Sequence, residues 1–380
     1  MPENMNPFEP PAGGLSLYLH VPFCERKCPY CAFESKVPSE GEKELWLQTV
    51  ERELLWWESR IGRPLLLTCY IGGGTPTVLS GPEWIRLAEM LERHFTFDAG
   101  AEVTVEANPN SLRAEHLLFW RDWRTTRVSI GAQSFDDAEL IQLGRLHSAA
   151  RAWEAISASL ASGFSVNADF MFGLPGQTFR NWARTLSQAA GSGIAHISLY
   201  QLTIEPGTAW ESMPEEELSD GYLPYRWAQW YLPSKGFGQY EIANFAKRGH
   251  ESRHNINYWK EGDCLGIGPG ASGQIRGWRY KNISGLGGYS DSLKSGKSAI
   301  ASGERLTGSR RASEAAVLAL RMKQGIEREA FARKYGPDEE SRVIKILEAF
   351  PGDLYSVGTD RICLTPKGMR VANRIWSELV

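Results

Sequence analysis

No charge of either sign dominates the sequence: 42 Lys and Arg stand against 45 Asp and Glu, for a formal net charge of −3. That balance lacks the basic excess of a general nucleic-acid binder, so nucleic acid is not an expected partner. No apolar run approaches the ~20 residues needed to span a bilayer. The N-terminal MPENMNPFEPPAGG has no basic stretch followed by an apolar one, so no secretory signal is read there and the expected location is the cytoplasm. With 42% hydrophobic and 23% charged residues, the composition is not that of a disordered chain. A chain of 380 residues can bury a large core, in one big domain or in two or three smaller ones. Cysteine is scarce, with six in all. Three disulfides are a poor fit, because half of the thiols crowd into one short stretch of a chain with no secretory signal; such clusters bind metal or do redox chemistry.

That stretch is YLHVPFCERKCPYCAF, residues 18–33, which carries Cys24, Cys28 and Cys31 at C-x3-C-x2-C spacing, while Cys69, Cys264 and Cys363 lie far apart. Three thiolates so placed can serve one compact site. A structural zinc ion takes four ligands, and the loop offers no fourth Cys or His. A [4Fe–4S] cluster held at three irons leaves the fourth open, where the amine and carboxylate of a small molecule can chelate it. Two alternatives stay open on spacing alone: zinc completed by His20, and three unconnected thiols.

The first two hundred residues repeat one rhythm, a β-branched or apolar strand, a turn rich in Gly, Pro or Asn, and an amphipathic helix. Strands are expected at about 15–21, 65–72, 102–108, 127–134, 165–173 and 196–202. In KELWLQTVERELLWW, Leu47, Val50, Leu54 and Trp57 fall on one helix face. SGPEWIRLAEMLERHF opens with Ser80 and Glu83 at capping-box spacing. Six such units in series predict an α/β fold with a parallel sheet, curled by right-handed crossovers into a partial (β/α)6 barrel. Beyond about residue 203 the rhythm changes to an acidic, turn-rich segment, the aromatic helix YLPYRWAQWYL, a strand GQYEIANF, the HNINYW segment and the glycine-dense CLGIGPGASGQIRGW. From about 305 the chain is helical again and ends in DRICLTPKGMRVANRIWSELV, a strand followed by an amphipathic helix. The expected division is a tail at 1–14, the barrel at 15–203, an α+β elaboration at 204–304 on the barrel's open edge, and a small winged-helix-like domain at 305–380.

Parallel barrels build their sites where the strands end, because the βα loops converge there. Strand one runs into the cysteine loop and strand two into GGGTPT, with Gly73, Gly74 and Thr75. Strand three ends at Glu106 and Asn108, strand four at Gln133, strand five at Asp169, and strand six at Tyr200 and Gln201. The glycines let backbone amides approach a carboxylate or amine, though many such runs are only tight turns. Glu106 is placed as ribose-binding carboxylates are, or is a solvated rim charge. Gln133 and Asp169 can bond a cofactor or satisfy loop backbone, and Arg145 can neutralise a carboxylate or pair on its own helix.

The stretches YLHVPFCERKCPYCAF, IGGGTPT, VEANP, RVSIGAQSFDD, LGRLHS, DFMFGLPGQT, QYEIANFA, RHNINYW and LGIGPGASG resemble, in this order and over nearly the whole chain, radical S-adenosylmethionine proteins. Within these, the chain is similar to the branch of oxygen-independent coproporphyrinogen oxidase, and most to its relatives the HemW haem chaperones. The resemblance implies a [4Fe–4S] cluster on Cys24, Cys28 and Cys31, with S-adenosylmethionine on the open iron and contacted by Tyr18, Gly73, Gly74, Thr75, Glu106, Gln133, Arg145 and Asp169. It also implies reductive cleavage of that cofactor to a 5′-deoxyadenosyl radical, chemistry that belongs to the cofactor. Oxidase-like members carry a further cysteine two positions after the third and a long N-terminal arm. Here Phe33 occupies that position and seventeen residues precede Tyr18, which favours the chaperone side and places Phe33 in the cofactor region. RHNINYW matches the HNxxYW motif of that side, making His254 a candidate haem ligand, its bland alternative being a loop His bonded to backbone. Ala32 stands where many relatives have an acid, and Ser272 where His is common, which sets the glycine loop apart from theirs. The implied partners are haem or a porphyrin-like ligand and recipient apo-haemoproteins. The aromatic face of YLPYRWAQWYL is either core or a surface for a partner or a peripheral membrane contact. The alternative functions are a radical decarboxylase acting on a porphyrinogen and a radical methyltransferase.

Overall fold

Alternation of side chains decides the architecture. In a computed structural model that describes residues 13–380, with the side chain of Glu215 excepted, six parallel strands follow one another in chain order: β1 (Leu15–Val21), β2 (Leu65–Gly73), β3 (Thr96–Ala107), β4 (Arg127–Gln133), β5 (Ser165–Phe172) and β6 (His196–Gln201). The expected tail at 1–14 lies, up to residue 12, outside the described residues. Between the strands run α1 (Glu42–Ile61), α2 (Gly81–His94), α3 (Ala114–Asp122), α4 (Asp137–Gln142), α5 (Ala149–Ala161) and α6 (Phe179–Gly191). Leu19, Ile71, Val105 and Val128 lie side by side across four strands, as do Ala107, Ile130, Ala168 and Ile197 one step along. This face joins Trp46, Leu47, Val50, Leu54 and Trp57 of α1, Trp84 and Leu87 of α2 and Trp182 and Leu186 of α6 in one buried core. Ser80 caps α2 as expected, its amide and hydroxyl donating to Glu83 at 2.6 and 2.8 Å.

β3 begins six residues before the expected start. Its outer half is exposed or half-buried and shifts register against β2, so its residues lack the alternation that betrays a strand.

The remaining chain adds strands to both edges of this sheet rather than to one. α7 (Tyr222–Ser234) precedes β7 (Gly238–Gln239) and β8 (Asn244–Ala246), and β8 pairs antiparallel with β6. After α8 (Arg253–Trp259) come β9 (Cys264–Ile267), parallel to β1, then β10 (Ser272–Ile275), β11 (Trp278–Asn282), α9 (Leu286–Lys294) and β12 (Ile300–Arg305). The order is β12-β11-β10-β9-β1-β2-β3-β4-β5-β6-β8-β7. GQYEIANF, expected as one strand, is therefore two short ones. The reversal is held by Glu241, 0% exposed, which accepts the Ala243 amide at 2.9 Å and the Asn244 amide group at 2.5 Å.

The C-terminal part consists of α10 (Gly308–Arg321), β13 (Ile326–Glu327), α11 (Arg328–Tyr335), α12 (Pro337–Glu348), β14 (Tyr355–Val357), β15 (Arg361–Leu364), α13 (Pro366–Met369) and α14 (Ala372–Trp376), with its own apolar cluster and a sheet of order β13-β15-β14. The helix expected after β15 is broken at Val371, whose φ of −123° and ψ of 20° leave the helical region. This part is clasped to the barrel where Arg321 pairs with buried Glu241 at 3.0 Å and the Ile242 amide donates to the Arg321 carbonyl at 3.1 Å.

Candidate functional site

The cysteine loop leaves the end of β1 and is pinched at its neck. The Cys24 amide donates to the Lys36 carbonyl at 2.9 Å and the Lys36 amide to Pro22 at 3.0 Å. Cys24, Cys28 and Cys31 are all free thiols, partly exposed on this one loop. The turn after β2 docks on it: the Gly74 amide donates to Val21 at 2.8 Å and the Thr75 amide to Phe23 at 2.6 Å. The approach is close enough to need glycine, since a Cβ on Gly74 would lie 2.5 Å from the Phe23 carbonyl. Gly73, at φ +108°, would place one 2.3 Å from the His20 ring. The docking sets the Thr75 hydroxyl 3.4 Å from the Cys24 sulfur. From the segment after α4, Arg145 reaches in, with Nη1 at 3.5 Å from the Cys28 sulfur and Nη2 donating to the Gly131 carbonyl at 3.0 Å. Its Nε is buried without a partner.

His20 is committed elsewhere. Nε2 donates to the Glu34 carbonyl at 2.7 Å, so Nδ1 accepts the Tyr18 hydroxyl at 2.9 Å. Burial pushes its pKa down and keeps it neutral. It braces the loop instead of completing a zinc site, and among the described residues no three His, Cys, Asp or Glu side chains converge as a single metal ion requires.

Opposite the apolar face of the sheet lies a polar one. Tyr18, Tyr70, Glu106, Ser129, Asn167, Asp169, His196 and Ser198 project from it where an ordinary barrel would carry branched apolar layers. Glu106 accepts the Tyr70 hydroxyl at 2.6 Å and the Gly73 amide at 2.9 Å. Burial, against those two bonds and with the charge of Asp169 behind it, pushes its carboxyl up to about 7. Asp169 accepts from Asn167 at 2.8 Å and Ser129 at 3.2 Å, and burial raises its pKa too. Gln133 ends β4 in the left-handed region, φ 65°, a strained conformation of the kind that gathers at functional sites. Phe33 projects from the end of the cysteine loop, 68% exposed.

His254 is not at this rim. It lies on α8, a helix rather than a loop, with its ring only 7% exposed, packed on Tyr70 at 5.1 Å and donating from Nδ1 to Thr68 at 2.9 Å. Thr68 in turn donates to Ser16 near the start of β1 at 2.7 Å. The Arg253 and His254 amides donate to Glu102 at 3.0 and 2.9 Å, fixing α8 across the N-terminal end of the sheet, opposite the cysteines. Burial lowers the His254 pKa to about 4. The candidate haem ligand is thus, in this structure, an interior, neutral histidine on a helix.

Reading only strand ends missed Tyr70, Ser129, Asn167, His196 and Tyr240. Asn167 accepts from His196 Nδ1 at 2.6 Å, and His196 Nε2 accepts the Tyr240 hydroxyl at 2.7 Å, so one chain of bonds runs from Asp169 to the far end of the barrel. The signal was present as polar residues two apart in SVNADF and HISLY.

A parallel (β/α)6 sheet with three thiols after its first strand defines a radical S-adenosylmethionine fold, and the sequence model of the Radical SAM superfamily matches residues 18–189. The structure is similar to that of coproporphyrinogen III oxidase (HemN) from Escherichia coli, with a TM-score of 0.86 at 23% identity, covering 98% of this chain and 90% of that one. The haem chaperone HemW of Mycobacterium tuberculosis H37Rv is 33% identical over 97% of this chain and 96% of its own length. That of Bacillus subtilis 168 is 31% identical over 96% and 99%. The chain belongs to the HemW family.

The residues present fit the groups that such a fold implies. Free cysteines on one exposed loop, beside a half-buried arginine with an unpartnered Nε, can hold a negatively charged iron–sulfur centre and a carboxylate.

Proposed function

We propose that this chain is a haem chaperone, located in the cytoplasm, that binds haem and passes it to apo-haemoproteins while carrying a [4Fe–4S] cluster and S-adenosylmethionine. The observation that carries this reading is the end-to-end similarity to proteins named haem chaperones, at 33% and 31% identity. Phe33 in place of a fourth cysteine supports it. Cys24, Cys28 and Cys31 would hold the cluster, and Tyr18, Gly73, Gly74, Thr75, Glu106, Gln133, Arg145 and Asp169 would hold the nucleotide. When bound and reduced, the pair supplies one-electron chemistry. The protein's part is to orient and shield: Glu106 and Asp169 offer acceptors for hydroxyls, Gly73 and Gly74 let backbone come close, and Arg145 offsets negative charge. Peripheral contact with a membrane or a recipient would fall to Tyr222, Leu223 and Trp230, the exposed large hydrophobic residues of α7.

Titrating the anaerobically purified protein with haemin tests the proposal, which requires a saturable Soret shift and transfer to an apo-haemoprotein. Substrate-dependent 5′-deoxyadenosine with release of carbon dioxide from coproporphyrinogen III would replace it with the decarboxylase reading, and a methylated product with the methyltransferase one. His254→Ala is expected to leave the Soret shift unchanged, because the imidazole is enclosed beneath Tyr70. It should instead lower Tm by several degrees, having removed a buried ring and its bond to Thr68. Loss of the shift would mean that α8 leaves the barrel to bind haem.

A further inference from the structure

A cavity of about 590 Å³ opens at the N-terminal end of the barrel, away from the cysteine loop. Its walls come from the starts of β4 and β5, from the segment before α8, from α8 itself and from the residues after α10, and they include Arg127, Ser165, Tyr240, His250, Arg253 and Lys260. We propose that this cavity is a binding site for an oxyanion, the carboxylate or phosphate group of a small ligand.

Arg127 is the central observation. Its side chain is 4% exposed and Nη1 donates to the His250 carbonyl at 2.8 Å, but Nη2 is buried with no partner. A guanidinium stays charged even when buried, and a buried charge is retained where something compensates it. Neither acid on the cavity wall forms an ion pair with it, and Asp169 in the barrel interior feels its charge without bonding to it. Glu102 is occupied by the Arg253 and His254 amides, and Glu251 accepts the Gly249 amide at 2.9 Å. The neighbouring interior imidazole, His196, is held neutral, its pKa pushed well down by burial and by the charge of Arg127. The exposed cations Arg253 and Lys260 stand at the mouth. Arg253 donates to the Gly100 carbonyl at 2.6 Å, and among the described residues neither cation forms an ion pair with a carboxylate. Ser165 and His250, which meet at 3.1 Å, add polar groups to the wall. A buried cation short of a partner, flanked by two exposed cations and lined also by Ile256 and Met322, matches an anionic head on a partly apolar ligand.

The test titrates the full-length protein at constant ionic strength with inorganic phosphate and, separately, with succinate, against chloride as control, by calorimetry and thermal shift. Saturable binding of either over chloride is expected, and the tighter of the two identifies the group. Replacing Arg253 and Lys260 together by alanine, both exposed and so safe for the fold, should weaken binding about tenfold or more. Arg127→Gln should abolish it, and the double variant decides the matter if Arg127→Gln does not fold. No saturable response beyond chloride overturns the proposal, and so does equal affinity in the Arg253/Lys260 double variant.

Discussion

Cys28→Ala should reduce iron and acid-labile sulfide from about four each per chain to near zero after anaerobic reconstitution. The same substitution at Cys69, Cys264 or Cys363 should leave both unchanged. The contrast follows from placement. Cys69 and Cys264 are buried in β2 and β9, on the strands either side of β1, where burial pushes their thiols up, Cys264 to about 12, so that neither is an available thiolate. Cys363 lies in the C-terminal sheet and donates to the Gln324 carbonyl at 3.1 Å. Cys28 sits on the open loop, 3.5 Å from a guanidinium whose Nε has no other partner. Its loss would remove one of the three proposed cluster ligands and leave that cation less compensated, so serine is not expected to rescue it. Glu106→Ala should retain the iron yet weaken the effect of S-adenosylmethionine on the reduced centre's paramagnetic resonance by at least about tenfold, because it removes two hydroxyl-accepting oxygens. Zinc in place of iron and sulfide in the wild type, or equal loss from all four cysteine variants, would defeat the assignment.

How much of this was legible beforehand depended on which face of each strand carried the message. β1, β2, β4, β5 and β6 fall within a residue of expectation because Leu15, Leu17, Leu19 and Val21, and their counterparts, alternate against the helices. The lumen was harder. Ser129, Asn167 and His196 look in sequence like polar residues bound for solvent, and only the parallel register of β4, β5 and β6 sets them side by side. The setting of His254 was hidden for a related reason. A motif announces that a residue matters but not where its ring goes, and the placement of α8 depends on Glu102, which lies 152 positions from His254. The split of GQYEIANF likewise rests on a distant partner, Arg321, that neutralises the buried Glu241.

Glu53 supplies the largest expected effect on stability. It lies on α1 with no exposure, accepting the Gly268 amide at 2.8 Å, the Tyr289 hydroxyl at 2.5 Å and the Asn282 amide group at 2.7 Å. Burial outweighs these bonds and pushes its carboxyl from 4.5 up to about 7. The folded chain therefore holds a proton that the unfolded chain has released between about pH 4.5 and 7. Stability contributed by this group is full below the lower value, falls as pH rises through the window and is lost above the upper one, by about 3 kcal/mol in all. Glu106 acts with the same sign, so the wild-type slope contains both, and the difference between wild type and Glu53→Gln isolates this one. Urea unfolding at pH 5 and pH 8 should show a smaller loss of stability with pH in Glu53→Gln than in wild type. Glu53→Ala should cost about 3 to 5 kcal/mol at either pH, because it leaves a cavity and strands the Gly268 amide and the Tyr289 hydroxyl without an acceptor. That damage should reach the cysteine loop, since Gly268 sits so close beneath β1 that a Cβ there would lie 2.6 Å from the His20 carbonyl, and His20 braces Glu34 at the loop's end. Iron retention on dilution should accordingly fall in Glu53→Ala but not in Glu53→Gln. A pH profile identical in Glu53→Gln and wild type would show that the buried carboxyl does not titrate in this window.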